Sequence, residues 1–399
     1  MRKALRDQQE NKKRVNKKRK INKISLDKIK QKLVLDKKKK LIFLIIGIIL
    51  VVIIAVTNYT AFGLVINKKI TSKNAKVVEL QAIGNEIIPY EDEVLVCRKD
   101  RIDSYTKNGN LAWTITQSDI INSEIQTSGK YIQIVNKDKN IIYVYKNKYE
   151  IARIKTEGKI YSSNINENGI SIVEYATAGN KTALGVYDKN GEIRYNIKLG
   201  NKVIGKYIVS DNMKYLAYID LDISGISAYT SIKLINFKNI SEENNAQTIH
   251  EVEGGLVYDI SFEGKNLVMS EEERYVVYNL SSGKKEEYLI SENSIENVSH
   301  YNGKCAYVRI NPDGKIILNI KNIKDISTKE IEIEEVPKYF TYAYSLVYVS
   351  YQNKIQIYNG FGMRIKEYNS DTVITKPVVF NNGKSIAMTI SNKLIIFTI

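Results

Sequence analysis

The feature that most constrains the fold is a repeated unit of about 40 residues. Eight times along the chain, a short apolar run follows a turn that is usually rich in Gly, Asn or Asp, as in YIQIV after Gly129 and CAYVRI after Gly303. The runs begin near residues 94, 130, 170, 214, 266, 304, 345 and 384, at intervals of 36 to 52 residues. A period near 40 with about four strands per unit predicts an all-β fold, the β-propeller, in which neighbouring blades bury each other's faces.

A second pattern places an aromatic residue on each side of a glycine turn. Glycine supplies the positive φ that a tight hairpin needs. We expect the two aromatic side chains to pair across the strands and fix their register. The four examples are Tyr105…Gly109…Trp113, Tyr187…Gly191…Tyr195, Tyr278…Gly283…Tyr288 and Tyr358…Gly362…Tyr368.

The two ends of the repeat region complement each other. The last unit stops at KLIIFTI, residues 393–399, one strand short of a blade, while KVVELQAI at residues 76–83 precedes the first unit. We expect this N-terminal strand to complete the last blade, which closes the ring and removes its free edges. The expected count is eight blades, or alternatively seven if the unit at 214–266 is misread.

An uncharged apolar segment precedes the repeats. Residues 41–56 are sixteen apolar residues in a row, and no charged residue occurs between positions 41 and 66. A helix over residues 41–66 would be about 39 Å long, and the hydrocarbon core of a bilayer is about 30 Å thick. The sequence therefore predicts one transmembrane helix at 41–62, followed by a linker at 63–75. The 40 preceding residues are too many for the n-region of a cleaved signal peptide.

The net charge of +16 is concentrated at the N-terminus. Residues 1–40 hold 18 Lys or Arg and 4 Asp or Glu, whereas the rest of the chain holds 42 and 40. By the positive-inside rule, the tail at 1–40 stays in the cytoplasm and residues 76–399 form an extracellular domain. The expected localisation is the cell membrane, with a single pass.

The basic tail points to lipid as a partner. Apolar residues recur between the lysines of residues 21–35, so this otherwise disordered tail could form a partly amphipathic helix on anionic lipids of the inner leaflet. No aromatic residue lies in residues 1–40 that could stack on a base, so nucleic acid is not an expected partner. The lipid bilayer itself is the expected partner of residues 41–62.

Residues typical of metal or redox sites are few. Cys97 and Cys305 are the only cysteines and are expected to be buried free thiols, and His250 and His300 cannot form a His-rich metal site. No CxxC, HExxH, GxxxxGK[ST] or GxSxG pattern occurs. No catalytic, cofactor-binding or metal-binding residue is therefore assigned, and no cofactor is expected.

Acidic residues and tyrosines receive structural interpretations. Asp220, Asp222 and Asp259 are expected to be solvated turn residues, since general acid–base chemistry needs positioned pairs. The 28 tyrosines are expected to pack between blades rather than bind carbohydrate, although several exposed tyrosines on one rim would reverse that expectation. The relevant pairs at strand spacing are Tyr143 and Tyr145, Tyr275 and Tyr278, and Tyr342 and Tyr344.

This combination of a lysine-rich tail, one transmembrane helix and a degenerate propeller resembles an uncharacterised family of membrane-anchored β-propeller proteins from low-GC Gram-positive bacteria, a domain of unknown function. Residues 76–399 are also similar to the quinoprotein-dehydrogenase-like and WD-repeat-like propellers. The resemblance implies a propeller fold and transfers no catalytic residue. Two motifs of those propellers are missing, because the chain has no Gly-His or Trp-Asp pair and only one tryptophan, Trp113.

The expected function is that of a binding or scaffold module at the cell surface, with an unknown envelope protein or cell-wall ligand as its partner. Two alternatives are open. One is an enzyme, a hydrolase or an oxidoreductase, with its site in the central channel. The other is a signalling or assembly anchor that acts through the basic tail.

Overall fold

The computed structural model describes residues 66–69 and 75–399 with short gaps. The gaps are residues 82–85, 117–119, 121–122, 180, 201, 224, 226, 228, 240–245, 290–294, 302 and 324–327. The predicted cytoplasmic tail and the predicted transmembrane helix at 41–62 lie outside the described residues. No helix within the part that is described is long and apolar enough to cross a membrane.

Eight sheets of four or more strands follow one another along the chain, and we number them as blades 1 to 8. Two strands precede blade 1: β1 (Ile66–Lys69) and β2 (Lys76–Glu79). Blade 1 contains β3 (Glu86–Tyr90), β4 (Glu93–Cys97), β5 (Arg101–Thr106) and β6 (Leu111–Thr116). Blade 2 contains β7 (Glu124–Ser128), β8 (Tyr131–Asn136), β9 (Ile141–Lys146) and β10 (Tyr149–Lys155). Blade 3 contains β11 (Ile160–Ile165), β12 (Ser171–Thr177), β13 (Lys181–Tyr187) and β14 (Ile193–Gly200). Blade 4 contains β15 (Val203–Val209), β16 (Tyr215–Asp222), β17 (Tyr229–Asn236) and β18 (Gln247–Glu253), with a 3₁₀ turn at Phe237–Asn239.

The remaining four blades continue the series. Blade 5 contains β19 (Val257–Glu263), β20 (Asn266–Glu271), β21 (Arg274–Asn279) and β22 (Lys285–Leu289). Blade 6 contains β23 (Ile295–Tyr301), β24 (Lys304–Ile310), β25 (Ile316–Asn322) and β26 (Thr328–Ile333). Blade 7 contains β27 (Tyr339–Ala343), β28 (Leu346–Ser350), β29 (Lys354–Asn359) and β30 (Arg364–Asn369). Blade 8 contains β31 (Val378–Val379), β32 (Ser385–Ile390) and β33 (Lys393–Thr398), and β2 is its fourth strand.

The architecture is an eight-bladed β-propeller, as the repeat predicts. The four strands of each blade are antiparallel neighbours that follow one another along the chain, except that β2 takes the fourth place in blade 8, and we letter them A to D from the centre outward. The A strands of most successive blades contact one another around the axis. All eight repeated apolar runs are B strands, namely β4, β8, β12, β16, β20, β24, β28 and β32.

The N-terminal strand closes the ring, which confirms the expectation from the sequence. Strand β2 pairs antiparallel with β33, with Val77 opposite Ile395. The Leu80 N–H donates to the Asn392 carbonyl at 2.6 Å. The Leu80 side chain is buried with side chains of blades 8 and 1, among them Leu394 and Val94. Residues from the two ends of the propeller therefore share one blade.

A further strand lies within the segment expected to be a linker. Strand β1 pairs in parallel with β30, with Ile66 opposite Lys366, and forms a fifth strand at the outer edge of blade 7. The outer edges of blades 7 and 8 are thus both supplied by the chain that precedes blade 1.

The hydrophobic core is distributed between the blades. Each of the eight junctions between neighbouring blades holds one cluster of buried apolar side chains. Both faces of a blade must be covered for it to be stable, and each blade here is covered by its two neighbours. The free thiols of Cys97 and Cys305 are buried in two of these clusters, as expected.

Most tyrosines of the strands pack in these junctions, as the sequence predicts. Tyr143, Tyr145, Tyr275 and Tyr342 are at most 6% exposed. The expected pairing of aromatics across the glycine turns is wrong. Tyr105, Tyr187, Tyr278 and Tyr358 stand opposite Leu111, Ile193, Lys285 and Arg364, respectively.

The regular part of the ladders already places the second aromatic out of line with the first, since Trp113 stands opposite Ser104 and Tyr195 stands opposite Val186. The register shifts beside Tyr105, Tyr187 and Tyr358, and an extra residue in a strand moves the following side chains out of line with their partners. At two D strands the aromatic side chain instead contacts the next blade. The ring of Tyr195 stacks on the ring of Phe237 with 3.9 Å between their centroids, and the ring centroids of Tyr368 and Phe397 are 4.0 Å apart.

We expect buried tyrosines to make the propeller sensitive to alkali. Burial raises the pKa of six of them to about 12, namely Tyr90, Tyr145, Tyr187, Tyr218, Tyr358 and Tyr368. An unfolded tyrosine has a pKa near 10. Between about pH 10 and about pH 12 the unfolded chain loses these protons and the native protein does not. The stabilisation is therefore complete below pH 10 and is lost as the pH rises through 12.

Urea unfolding at increasing pH measures this effect. The free energy of unfolding should fall by about 1.4 kcal/mol per pH unit for each such tyrosine. Tyr218→Phe should reduce the slope by one tyrosine's share, and Tyr149→Phe, at a side chain that is 64% exposed, is the control for removing a hydroxyl group from the surface. A urea midpoint that is independent of pH above 10 would contradict the burial of these phenols.

Candidate functional site in the central channel

The A strands enclose a central channel, which contains two cavities. The first has a volume of about 910 Å³ and is lined by residues of blades 2 to 6. The second, of about 450 Å³, is lined by residues of blades 7, 8, 1 and 2. We use the name AB mouth for the channel end formed by the turns between the A and B strands, at residues 91–92, 129–130, 166–169, 211–214, 264–265, 303, 344–345 and 381–384.

Charged side chains in the channel are partly paired. Lys206 of blade 4 forms an ion pair with Asp259 of blade 5. Asp259 therefore lies on strand β19, an A strand, and pairs with a residue of the neighbouring blade. It is not in the turn position that was expected from the sequence. Asp220 pairs with Lys202 at 2.6 Å on the B strand of blade 4, and Asp222 ends that strand. The structure does not arrange these three acids as a catalytic pair.

Two tyrosines meet at the AB mouth. The rings of Tyr301, from blade 6, and Tyr344, from blade 7, lie 5.4 Å apart at an angle of 48°. Tyr301 lines the larger cavity and Tyr344 lines the smaller one. The hydroxyl of Tyr344 donates to Asn381 Oδ1 at 3.3 Å. Both side chains are half-buried, so their rings remain accessible from the channel.

The turn that carries Tyr344 has an unfavourable backbone conformation. Ala343 stands opposite Leu346, so Tyr344 and Ser345 form a two-residue turn, and their φ angles are 51° and 62°. Such turns favour Asn and Gly because other residues at positive φ cost on the order of 1 kcal/mol each. The surrounding structure must therefore hold the turn, and strained turns of this kind are frequent at binding sites.

Gly383 of blade 8 supports Tyr344. Its φ is 63°, and a Cβ atom there would lie 2.5 Å from the Tyr344 Cβ. Only glycine leaves room for the tyrosine at this distance. The tyrosine is consequently fixed against blade 8 from one side and against Tyr301 from the other.

Two carboxylates from other blades lie close enough to Tyr344 to act on its phenol. Burial raises the pKa of Tyr344, and the nearby Tyr301, Glu167 and Asp92 raise it further. Glu167 belongs to blade 3 and Asp92 to blade 1, so side chains from distant parts of the sequence converge at this end of the channel. The large cavity is also lined by Asp211 and Glu263.

Polar contacts between neighbouring blades keep the channel wall in place. The hydroxyl of Tyr90 donates to the Lys130 carbonyl at 2.8 Å and accepts from the Asn147 N–H at 3.0 Å. Gln133 is fully buried and donates to Ser171 Oγ at 3.0 Å. Such satisfied buried networks fix one arrangement of the blades.

His250, the histidine whose side chain is described, lies outside the channel. It is buried between blades 4 and 5, where its ring contacts Glu271. Arg274 Nε lies 2.6 Å from the same carboxylate. Burial raises the pKa of Glu271, but hydrogen bonds and charge from His250 and Arg274 lower it overall. No group of three or more potential metal ligands occurs among the described residues.

Comparison with known protein families identifies the chain. A sequence model of DUF5711, a family of unknown function, matches residues 67–398. The chain belongs to this family. The part of the DUF5711 chain that matches runs from β1 to β33 and therefore includes all eight blades. Among curated proteins, no sequence matches.

Solved structures share the fold of this DUF5711 protein at low sequence identity. The C-terminal WD40 domain of Sif2 has a TM-score of 0.55 at 11% identity, with 81% of this chain and 98% of that chain covered. The Dos1 propeller has a TM-score of 0.51 at 9% identity, with 82% and 94% covered. Sqt1 of Saccharomyces cerevisiae has a TM-score of 0.50 at 12% identity, with 82% and 99% covered. These similarities establish the propeller fold alone.

The tyrosine pair at the mouth is the part of the site that sequence reasoning missed. Tyr344 was expected to pack in the core with Tyr342, because the two have strand spacing. A weak signal is present, since the turn before SLVYVSY has no glycine, although the turns before VLVCRK and YLAYI lack one too. A missing glycine at a tight turn indicates that a side chain is held there despite the backbone cost.

Two glycine variants test how Tyr344 is held. Gly383→Ala and Gly264→Ala place a Cβ at a similar φ in equivalent AB turns, but only Gly383 faces Tyr344. We expect Gly264→Ala to lower the free energy of unfolding by about 1 kcal/mol, through the positive φ alone. Gly383→Ala should lower it by about 2–4 kcal/mol, because overpacking adds to that cost.

Urea unfolding measures both values, and NMR of the tyrosine ring protons reports the position of Tyr344. Equal destabilisation by the two variants, with unchanged ring signals in Gly383→Ala, would show that Tyr344 does not pack on Gly383.

Proposed function

We propose that this DUF5711 protein is a membrane-anchored binding module that presents its propeller at the cell surface and takes a ligand at the AB mouth. The observation that supports binding is the convergence of Tyr301, Tyr344, Asp92 and Glu167 from four blades at one end of the channel. Binding sites are commonly concave, lined by aromatic side chains and supplied with a few convergent polar groups.

The closed ring favours recognition because it fixes these groups before a ligand arrives. Tyr344 is held by Asn381 and Gly383, in a turn that only its surroundings can maintain. A preorganised site loses less conformational entropy on binding than a flexible one. The same rigidity suits a scaffold that presents a fixed surface to an envelope protein.

The membrane anchor and the orientation rest on the sequence. The apolar run within residues 41–62 is long enough to span a bilayer, and the 18 Lys or Arg of residues 1–40 precede it. The basic tail would contact anionic lipids of the inner leaflet. An origin in low-GC Gram-positive bacteria, which the sequence resemblance implies, would place a cell wall within reach of the propeller.

Cysteine labelling of intact cells tests the orientation. The native thiols Cys97 and Cys305 are buried, so they give little background. Ser345→Cys places a thiol at the exposed end of the AB mouth, and Lys13→Cys places one in the tail. A membrane-impermeant maleimide should label Ser345→Cys in intact cells and Lys13→Cys only after permeabilisation. The reverse pattern would contradict the orientation.

The same thiol tests whether the mouth binds envelope material. Cell-envelope fragments added to the purified full-length chain in lipid nanodiscs should slow labelling of Ser345→Cys. Labelling of Lys189→Cys, in an exposed turn at the outer part of blade 3, should not change. Equal rates with and without fragments at position 345 would contradict binding at the mouth, and consumption of the fragments would favour an enzyme.

A further inference from the structure

The side chains that line the AB mouth indicate a chemical class of ligand, and this inference rests on the proposed function. Aromatic rings, neutral polar groups and carboxylates occur together there. The neutral groups include Asn164, Ser261 and Asn266, which line the 910 Å³ cavity beside Glu167.

The tyrosine pair offers a flat, apolar surface beside polar groups. The rings of Tyr301 and Tyr344 lie at 48° to each other and are half-buried, so together they form an angled wall. A tyrosine combines a large apolar face with a polar hydroxyl. The C–H face of a sugar ring can pack on such a surface while its hydroxyl groups remain free at the edge of the ring.

The surrounding groups match the hydroxyls of a sugar. A carboxylate only accepts hydrogen bonds, and an asparagine amide both donates and accepts. Glu167 forms no ion pair with any described residue, so its oxygens are available to hydroxyl donors. Hydrogen bonds to an ionised carboxylate are stronger than those between neutral groups.

The charge distribution at the mouth disfavours ionic ligands. Lys206 is the basic residue that lines the large cavity, and it is already paired with Asp259. Five exposed lysines also lie on the AB turns or directly beside them, so the rim of the mouth carries charges of both signs. These are Lys130, Lys214, Lys265, Lys304 and Lys384.

We propose that the AB mouth binds an uncharged oligosaccharide, with a sugar ring packed on Tyr344 and Tyr301 and its hydroxyl groups bonded to Glu167 and the neighbouring amides. A cavity of about 910 Å³ is near the upper end of the range for small-molecule sites. The site therefore accommodates a chain of sugar residues rather than a single one.

Saturation-transfer NMR on the full-length chain in lipid nanodiscs tests this. The probes are two neutral trisaccharides, triacetylchitotriose and cellotriose, and one cationic probe, Nα-acetyl-lysine amide. At least one trisaccharide should bind saturably, with the largest effects on its ring C–H protons. Tyr344→Ala should weaken binding about tenfold, the equivalent of one good aromatic contact. Tyr149→Ala, at an exposed tyrosine of blade 2, should bind as the wild type does.

A second variant separates stacking from folding. Tyr344→Phe keeps the ring and removes the hydroxyl, so it should bind within about threefold of the wild type. Trisaccharide binding that is as strong in Tyr344→Ala as in the wild type, or binding that is stronger for the cationic probe, would overturn the proposal. If neither trisaccharide binds while envelope fragments still protect Ser345→Cys, the ligand class is wrong and the binding module stands. If the fragments also fail to protect it, both proposals fail.

Discussion

The pairing of β2 with β33 is the interaction on which the rest of the structure depends. It brings Glu79 to within 3.0 Å of Lys393, across almost the whole propeller sequence. Without β2, blade 8 would have three strands and an open edge, and its cluster with blade 1 would lose Leu80. Since each blade is stabilised by its neighbours, an open junction would weaken the ring as a whole.

The closed ring in turn makes the AB mouth possible. The strained turn at Tyr344 and Ser345 keeps its geometry because blade 8 supplies Gly383 and Asn381 on one side and blade 6 supplies Tyr301 on the other. No local sequence within blade 7 would maintain this conformation alone. The candidate site is therefore a property of the assembled ring, which explains why its members are dispersed from residue 92 to residue 383.

The fold was largely readable from the sequence, and the site was not. The B strands were predicted because an alternating apolar run after a turn has a local physical cause. The closing strand was predicted by counting strands at the two ends. The contact between Tyr344 and Gly383, and that between Lys206 and Asp259, depend on which blades become neighbours and on how far each side chain reaches. The predicted aromatic pairs at the glycine turns failed because the ladders set Trp113 opposite Ser104 and Tyr195 opposite Val186, and spacing along the sequence does not reveal the strand register.

An engineered disulfide between β2 and β33 tests ring closure most directly. In Glu79→Cys/Lys393→Cys, two facing and exposed positions of the pair carry thiols, while Cys97 and Cys305 remain buried. The closed ring predicts an intramolecular disulfide in the native protein and a gain in stability of about 2–4 kcal/mol. The control Glu79→Cys/Lys233→Cys, with its second thiol on blade 4, should form none. If thiols 79 and 393 both stay free and react with maleimide in the native protein, β2 does not close the ring.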